Sequence, residues 1–229
     1  MERWYPEAVQ RPLERNFDPH RETDARPILA IVLHIADGLG SPFNWFNRAS
    51  SAGDSGSSAA FWVSQEGAVE QYRPLDDICW SNGIIARPNL AIPTIRLMWL
   101  GGWNPNAFTV AIEHEGRSGY PLTEVQRGAS RALTRWILGQ AGLRASPYTI
   151  FGHSDLDAVT RARCPGFALE SWWDCQGALP RGGEASEGIP RAAVEELLHR
   201  LWPNTEAIAH RAVAIQQEIG SFKSRVGIG

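Results

Sequence analysis

The chain has 229 residues, enough for one sizeable domain with an appendage, and its hydrophobic content of 43% is that of an ordinary globular protein. A net charge of −3 removes the electrostatic case for nucleic acid or an anionic membrane as partner. All but one of the 22 basic residues are Arg, Lys223 being the exception, so chemistry that needs a Lys in the body of the domain is excluded.

Residues 1–27 are rich in Pro, Arg and Glu and read as an extended arm. They contain no apolar core of a secretory signal, and no stretch of the chain approaches the about 20 apolar residues of a membrane span. The expectation is a protein made in the cytoplasm, without signal peptide or stable membrane insertion. "ILAIVLHI" (28–35) is a near-continuous, partly β-branched apolar run, the pattern of a buried central strand. "SPFNWFNR" (41–48) predicts a short helix capped by Ser41 with Pro42 at its first position. "AAFWVS" and "AVEQYR", joined around Gln65-Glu66-Gly67, predict a β-hairpin. Residues 84–107, with several Pro, Gly and Asn, read as a long surface loop, and loops of that length usually carry function.

"FTVAIEHE" (108–115) is a second strand. Alternation sets Val110, Ile112 and His114 on one face and Glu113 and Glu115 on the other. Thr123 and Gln126 then form a capping box for a helix whose apolar stripe runs through Val125, Ala129, Leu133, Trp136 and Ile137 and which Gly142 stops. "YTIFG" (148–152) is a last strand, and "FALESWWD" (167–174) a short helix. The order predicts an α/β fold, a central mixed β-sheet flanked by helices, with a C-terminal helical appendage. Residues 1–178 form the domain. Residues 179–190 are a linker by composition. Beyond it, 191–201 and about 205–223 are helical, and Ile208, Ile215, Ile219 and Phe222 make an apolar stripe that packs on the domain or on a second copy, a route to a homo-oligomer.

Three residues stand out by chemistry. His34 ends the first strand, His153 ends the last, and Cys164 precedes Pro165-Gly166. Two imidazoles and a thiolate make a good ligand set for Zn²⁺, and three protein ligands leave a fourth position for water, as in a catalytic site. Glu113 ends another strand and is placed to act as a general base. A structural zinc would need a fourth ligand, for which Cys79 is the spare. Cys79 and Cys175 otherwise read as free thiols, with pairing as the alternative. His114 reads as a core residue or a support rather than a ligand. Asp155 and Asp157 orient His153 or cap a turn. Glu115 and Gly116 shape the turn after their strand. The ten Trp pack the core or, in part, line a groove for sugar or peptide. Trp80, Asn82, Asn104 and Asn106 lie in loops that would border the cleft.

With these residues placed, the chain resembles the zinc-dependent N-acetylmuramoyl-L-alanine amidases of type 2, relatives of the peptidoglycan recognition proteins and of phage amidases. The resemblance covers roughly residues 25–175. It is carried by His34, by Gly152-His153, by Cys164-Pro165-Gly166, by "VAIEHEG" (110–116), by the hairpin "SAAFWVSQEGAVEQ" (58–71) and by "CWSNG" (79–83). It implies Zn²⁺ on His34, His153 and Cys164, Glu113 as base, and hydrolysis of the amide between N-acetylmuramic acid and the L-alanine of the stem peptide. Ala59 and Ala60 stand where many members carry Tyr and His. Ala162 stands where many carry Lys, and Arg161 or Arg163 would supply the positive charge instead. The biological reading is a phage or prophage endolysin acting on peptidoglycan. The alternatives are a cytosolic amidase that recycles muropeptides and a recognition protein that binds peptidoglycan without cutting it.

Overall fold

The computed structural model describes residues 2–19, 27–50 and 56–175. Its centre is a six-stranded sheet built from β1 (Val9–Gln10), β3 (Ala30–Ile35), β4 (Phe61–Val63), β5 (Val69–Gln71), β7 (Thr109–His114) and β8 (Ile150–Gly152), in the spatial order β1–β5–β4–β7–β3–β8. The β4–β5 hairpin is antiparallel; β4–β7, β7–β3, β3–β8 and β1–β5 are parallel. β3 is buried along its whole length, as its unbroken apolar run requires of a strand covered on both faces. The mixed sheet is the predicted one.

Helices cover the two faces. α3 (Glu124–Ala141) lays Leu133, Ile137 and Leu138 against Ile31, Leu33, Phe61, Val63, Val110 and Ile112. Each such side chain, fully buried, contributes about 1.5–3 kcal/mol. Thr123 caps this helix by accepting from Gln126 N at 3.1 Å, and Gly142 ends it in the left-handed region. The Gln126 side chain does not close the box. It donates instead to the carbonyls of Val63 and Glu115, tying the helix start to two strand ends. On the other face α2 (Pro93–Gly101) packs Ile95 and Met98 on Ala30, Val32 and Phe151.

Three expectations change. Residues 84–107 are not one loop: they hold α2 and a 3₁₀ turn at Pro105–Ala107. The Pro and Gly that suggested a loop sit at the ends of α2, Pro93 in its first turn and Gly102 as its left-handed cap. The helix after Ser41 is the single turn α1 (Phe43–Phe46); Ser41 Oγ accepts from Phe43 N at 3.4 Å and also bonds to Glu70 and Tyr72. The N-terminal arm is part of the fold. β1 extends the sheet, Tyr5 and Leu13 are buried, and β2 (Phe17–Asp18) pairs with β6 (Ile78–Cys79). The helix predicted at 167–174 is the turn α5 (Glu170–Trp173). The helices predicted beyond residue 190, and the homo-oligomer argued from them, lie outside the described residues. Among the described residues no helix is long and apolar enough to cross a membrane.

Candidate metal centre and its cleft

His34 and His153 meet because two parallel strands end together. β3 pairs with β8 as far as Leu33 and Gly152, and the next residue on each strand is a His. At that point the chain leaves the sheet through α4 (His153–Leu156), and the two imidazoles lie with ring centroids 4.3 Å apart. The carboxyl ends of parallel strands are where sheets of this kind hold ligands. Cys164 returns to the same point after a turn organised by Asp157, a buried carboxylate accepting from the backbone of Ala86, Val159 and Thr160 and from the Thr160 hydroxyl. Burial works against that charge, but these donors hold its pKa well below the usual carboxylate range. Asp155 caps α4 by accepting from Gly152 N. Ile35 N, just past the end of the β3–β8 pairing, donates to Cys164 Sγ at 3.4 Å. The Pro165-Gly166 step fits tightly: a Cβ on Gly166, where φ is +73°, would come within 2.6 Å of Ser118 Oγ and 2.7 Å of two backbone atoms.

The ligand atoms of His34, His153 and Cys164 all lie within 4.8 Å of one another. His153 Nε2 is 3.0 Å from the carbonyl of Asn82. A carbonyl can only accept, so Nε2 carries the proton and Nδ1 keeps its lone pair for a cation. His34 Nε2 is buried with no hydrogen-bond partner among the described residues, an arrangement proteins avoid unless something binds there. Two neutral imidazoles and a thiol of this kind fit zinc.

Burial, then the neighbouring His153, His114 and Arg161, push the His34 pKa well below its usual value. Burial likewise takes His153 down to about 4, and the Asn82 carbonyl opposes it. Cys164 is pushed up to about 12, by burial first and by Glu113 second. At neutral pH all three candidate ligands are therefore uncharged, and a cation held there would displace the thiol proton.

Glu113 stands directly beside His34 in the β3–β7 register, and its Oε1 lies 3.8 Å from His34 Nδ1. Burial raises its pKa to about 8. Its Oε2 is buried without a partner among the described residues. Glu115, two residues on, is spent on structure: it accepts from Gly40 N at 2.5 Å and Gln65 N at 2.9 Å and so joins two loops. His114 points the other way, into the α3 face, and is no ligand. Cys79 and Cys175 are free, buried thiols.

A cavity of about 1110 Å³ has Trp80, Asn104, Asn106, Thr160 and Arg161 in its wall; His34, Glu113, His153 and Cys164 do not line it, and Arg161 is the residue that connects it to them. Trp99 and Trp103 also line it, and the sequence reading missed them because it missed α2. Arg161 brings positive charge to His34, His153 and Cys164, and its Nη2 lies where a Cβ on Gly83 would come within 2.9 Å. Arg163, the other candidate for that charge, does not line the cavity. Asn82 does not border the cavity. It is fully buried, held by Asn106 Oδ1 at its N–H and by Thr109 at its side chain, and it faces His153 from behind.

A sequence profile of the N-acetylmuramoyl-L-alanine amidase family, Amidase_2, matches residues 24–167. The chain belongs to this family. A similar protein is "1,6-anhydro-N-acetylmuramyl-L-alanine amidase AmpD" of Enterobacter cloacae, 28% identical over 149 residues, which are 65% of this chain. The match spans 61% of that relative, less than two thirds of its length. The crystal structure of a selenomethionine AmpD derivative aligns with a TM-score of 0.55 at 20% identity, over 76% of this chain and 96% of the other. The amidase LysC from Clostridium intestinale URNW aligns with a TM-score of 0.50 at 20% identity, over 73% of this chain and 95% of the other. These likenesses bear out the fold.

Proposed function

We propose that this chain is a zinc-dependent peptidoglycan amidase that hydrolyses the bond between N-acetylmuramic acid and the L-alanine of the stem peptide. The observation that carries the reading is the strand register. It sets Glu113 beside His34, at the edge of a cluster of three candidate ligands, and Arg161, whose charge reaches all three, stands in the wall of a large cavity. An amide is a poor electrophile with a poor leaving group. Zinc held by His34, His153 and Cys164 would polarise the carbonyl and acidify a water. Glu113 takes the water proton and hands it to the departing amine, and a carboxyl titrating near neutrality suits both transfers. Arg161 meets the negative charge that develops on the carbonyl oxygen. Trp80, Asn104 and Asn106 contact the substrate from the cavity wall, while Asn82 keeps His153 in the tautomer that can ligate.

The role we favour is that of an endolysin acting on whole peptidoglycan, with residues 1–178 as the catalytic unit and 179–229 serving delivery or assembly. The similarity to AmpD supports a second reading, recycling of soluble anhydro-muropeptides. A recognition protein that binds without cutting would have no use for Cys164 and Glu113 together.

Digestion of purified sacculi and of a soluble anhydro-muropeptide, with and without chelator, tests this. Mass spectrometry should show intact glycan and free peptide beginning at L-alanine, and chelation should abolish both. Cleavage confined to the soluble substrate decides for recycling. Binding without cleavage sinks the amidase reading. Truncation after residue 178 should leave turnover of the soluble substrate intact; its loss in a folded protein overturns the domain division.

A further inference from the structure

We propose that His114 is a positioning residue for the metal centre, holding the strand end that presents His34. The proposal rests on the metal reading above. His114 is fully buried under α3, one residue from Glu113 and on the opposite face of the sheet. Its Nδ1 lies 2.7 Å from the His34 carbonyl oxygen and its Nε2 2.7 Å from Ser130 Oγ. Ser130 Oγ also accepts from Trp172 Nε1 at 3.1 Å.

These contacts assign every proton. A carbonyl only accepts, so Nδ1 carries hydrogen. Nε2 is then an acceptor, and the Ser130 hydroxyl, itself accepting from the indole, donates to it. The imidazole is neutral and the chain of donors runs one way, from Trp172 through Ser130 and His114 to the backbone at His34. The neighbouring residues complete the clamp. Ala36 N donates to the His114 carbonyl at 2.9 Å, and Ile35 N, between the two, donates to Cys164 Sγ. One buried residue thus ties the backbone at 34 and 36, the segment that carries one ligand and touches another.

Packing alone does not explain the choice of residue. Phe167 and Trp172 meet the imidazole edge-on, with centroids 5.1 and 6.3 Å away. A Phe would fill that apolar space without burying two ring nitrogens. A shift of the strand end would displace His34 from a cluster whose ligand atoms lie within 4.8 Å of one another.

Three variants test the proposal. His114→Phe keeps a ring and removes both bonds. His114→Asn keeps a donor for the His34 carbonyl. Ser130→Ala leaves His114 in place but removes the proton that fixes its tautomer. For each, the folding midpoint without metal, the zinc dissociation constant by chelator competition, and kcat and KM at saturating zinc are measured. His114→Phe should weaken zinc binding about tenfold and lower kcat with KM unchanged. His114→Asn should recover most of the affinity at a similar folding midpoint. Ser130→Ala should weaken binding by about threefold, less than the roughly tenfold of a residue next to a ligand, because it acts only through His114. Equal losses in the Phe and Asn variants, tracking folding stability, make His114 a core residue and overturn the proposal. If the Phe variant does not fold, Ser130→Ala decides: weaker zinc binding supports the proposal and unchanged binding overturns it. A wild-type chain that binds no zinc fails the metal reading and this proposal together. Normal wild-type binding with unaltered variants fails this proposal alone.

Discussion

The two faces of the central sheet share their strands but are built by opposite rules. Under α3 the strands present Ile31, Leu33, Phe61, Val63, Val110 and Ile112, and the polar residue His114 has both ring nitrogens bonded. On the other face one row across the strands reads Glu70, Trp62, Glu113, His34. Glu70 at the edge is satisfied by Ser41, Tyr72 and Arg11. Towards the centre, the Trp62 indole nitrogen, Glu113 Oε2 and His34 Nε2 are buried with no partner among the described residues. A buried polar atom without a partner costs about 1–3 kcal/mol, so the strands give up stability on the second face; under α3 the orphans, Thr134 Oγ1 and Trp136 Nε1, belong to the helix and not to the strands. The comparison teaches where to strike. Changes on the cleft face should damage chemistry and spare the fold, and changes to the apolar side chains under α3 should do the reverse, with His114 as the residue of that face that reaches the centre.

The largest effect tests the cleft side. Cys164→Ala should lose zinc and all turnover, while its metal-free melting midpoint stays close to that of the wild type. Metal analysis and calorimetry check it. Full zinc occupancy with activity would remove Cys164 from the ligand set.

Glu113→Gln should retain zinc and lose about 10²–10⁴-fold in kcat. It should also separate the two faces in the pH dependence of stability. The folded-state pKa of about 8 lies above the ordinary carboxylate value of 4.5. Between these values the folded protein holds more protons than the unfolded chain, so stability falls as pH rises through the window. The Gln variant lacks that slope and, without metal, should exceed the wild type at pH 8 by an amount on the order of 1–3 kcal/mol. Urea unfolding from pH 4 to 9 measures it. Parallel profiles would show that Glu113 is not desolvated.

Ile112→Ala tests the other face. It is fully buried beneath α3, and its truncation should cost about 2–5 kcal/mol. Turnover per folded, zinc-loaded molecule should stay within about twofold, since Ile112 points away from the cleft. A large fall in kcat at full zinc loading would mean that the faces are not independent.

The smallest effect concerns the ligands themselves. With the Cys164 thiol pushed up to about 12 and both His already neutral, zinc binding should release one proton. Zinc affinity should therefore rise about tenfold per pH unit between pH 7 and 9. Chelator competition in buffers of different ionisation enthalpy checks both the slope and the proton count. A flat profile would show the thiol already ionised in the metal-free site.

Much of the site was legible because its parts sit at strand ends. His34, Glu113 and His153 each close an apolar run, and alternation alone separated Glu113 from His114. Asn82 shows the limit. Its position in a Gly-bounded loop suggested a cleft contact, yet it is buried behind His153, and its carbonyl does the work. α2 shows another: Pro93 and Gly102 punctuate its ends, and terminal signals in a short helix imitate those of a loop. The arm carried no periodicity from which its pairing with β5 and β6 could be read.

By itself the sequence determined the candidate ligand types, the strands that carry them, the helix from Thr123 to Gly142 and the family. These rest on local rules: side-chain alternation, capping, and the chemistry of imidazole and thiol. The tertiary structure decided which strand ends meet, that His34 and Glu113 are neighbours in register, and that Arg161 rather than Arg163 stands in the cavity wall. It also decided that His114 reaches back to the His34 carbonyl. Those facts depend on contacts between residues 16 to 129 positions apart, and no local pattern encodes such a pairing.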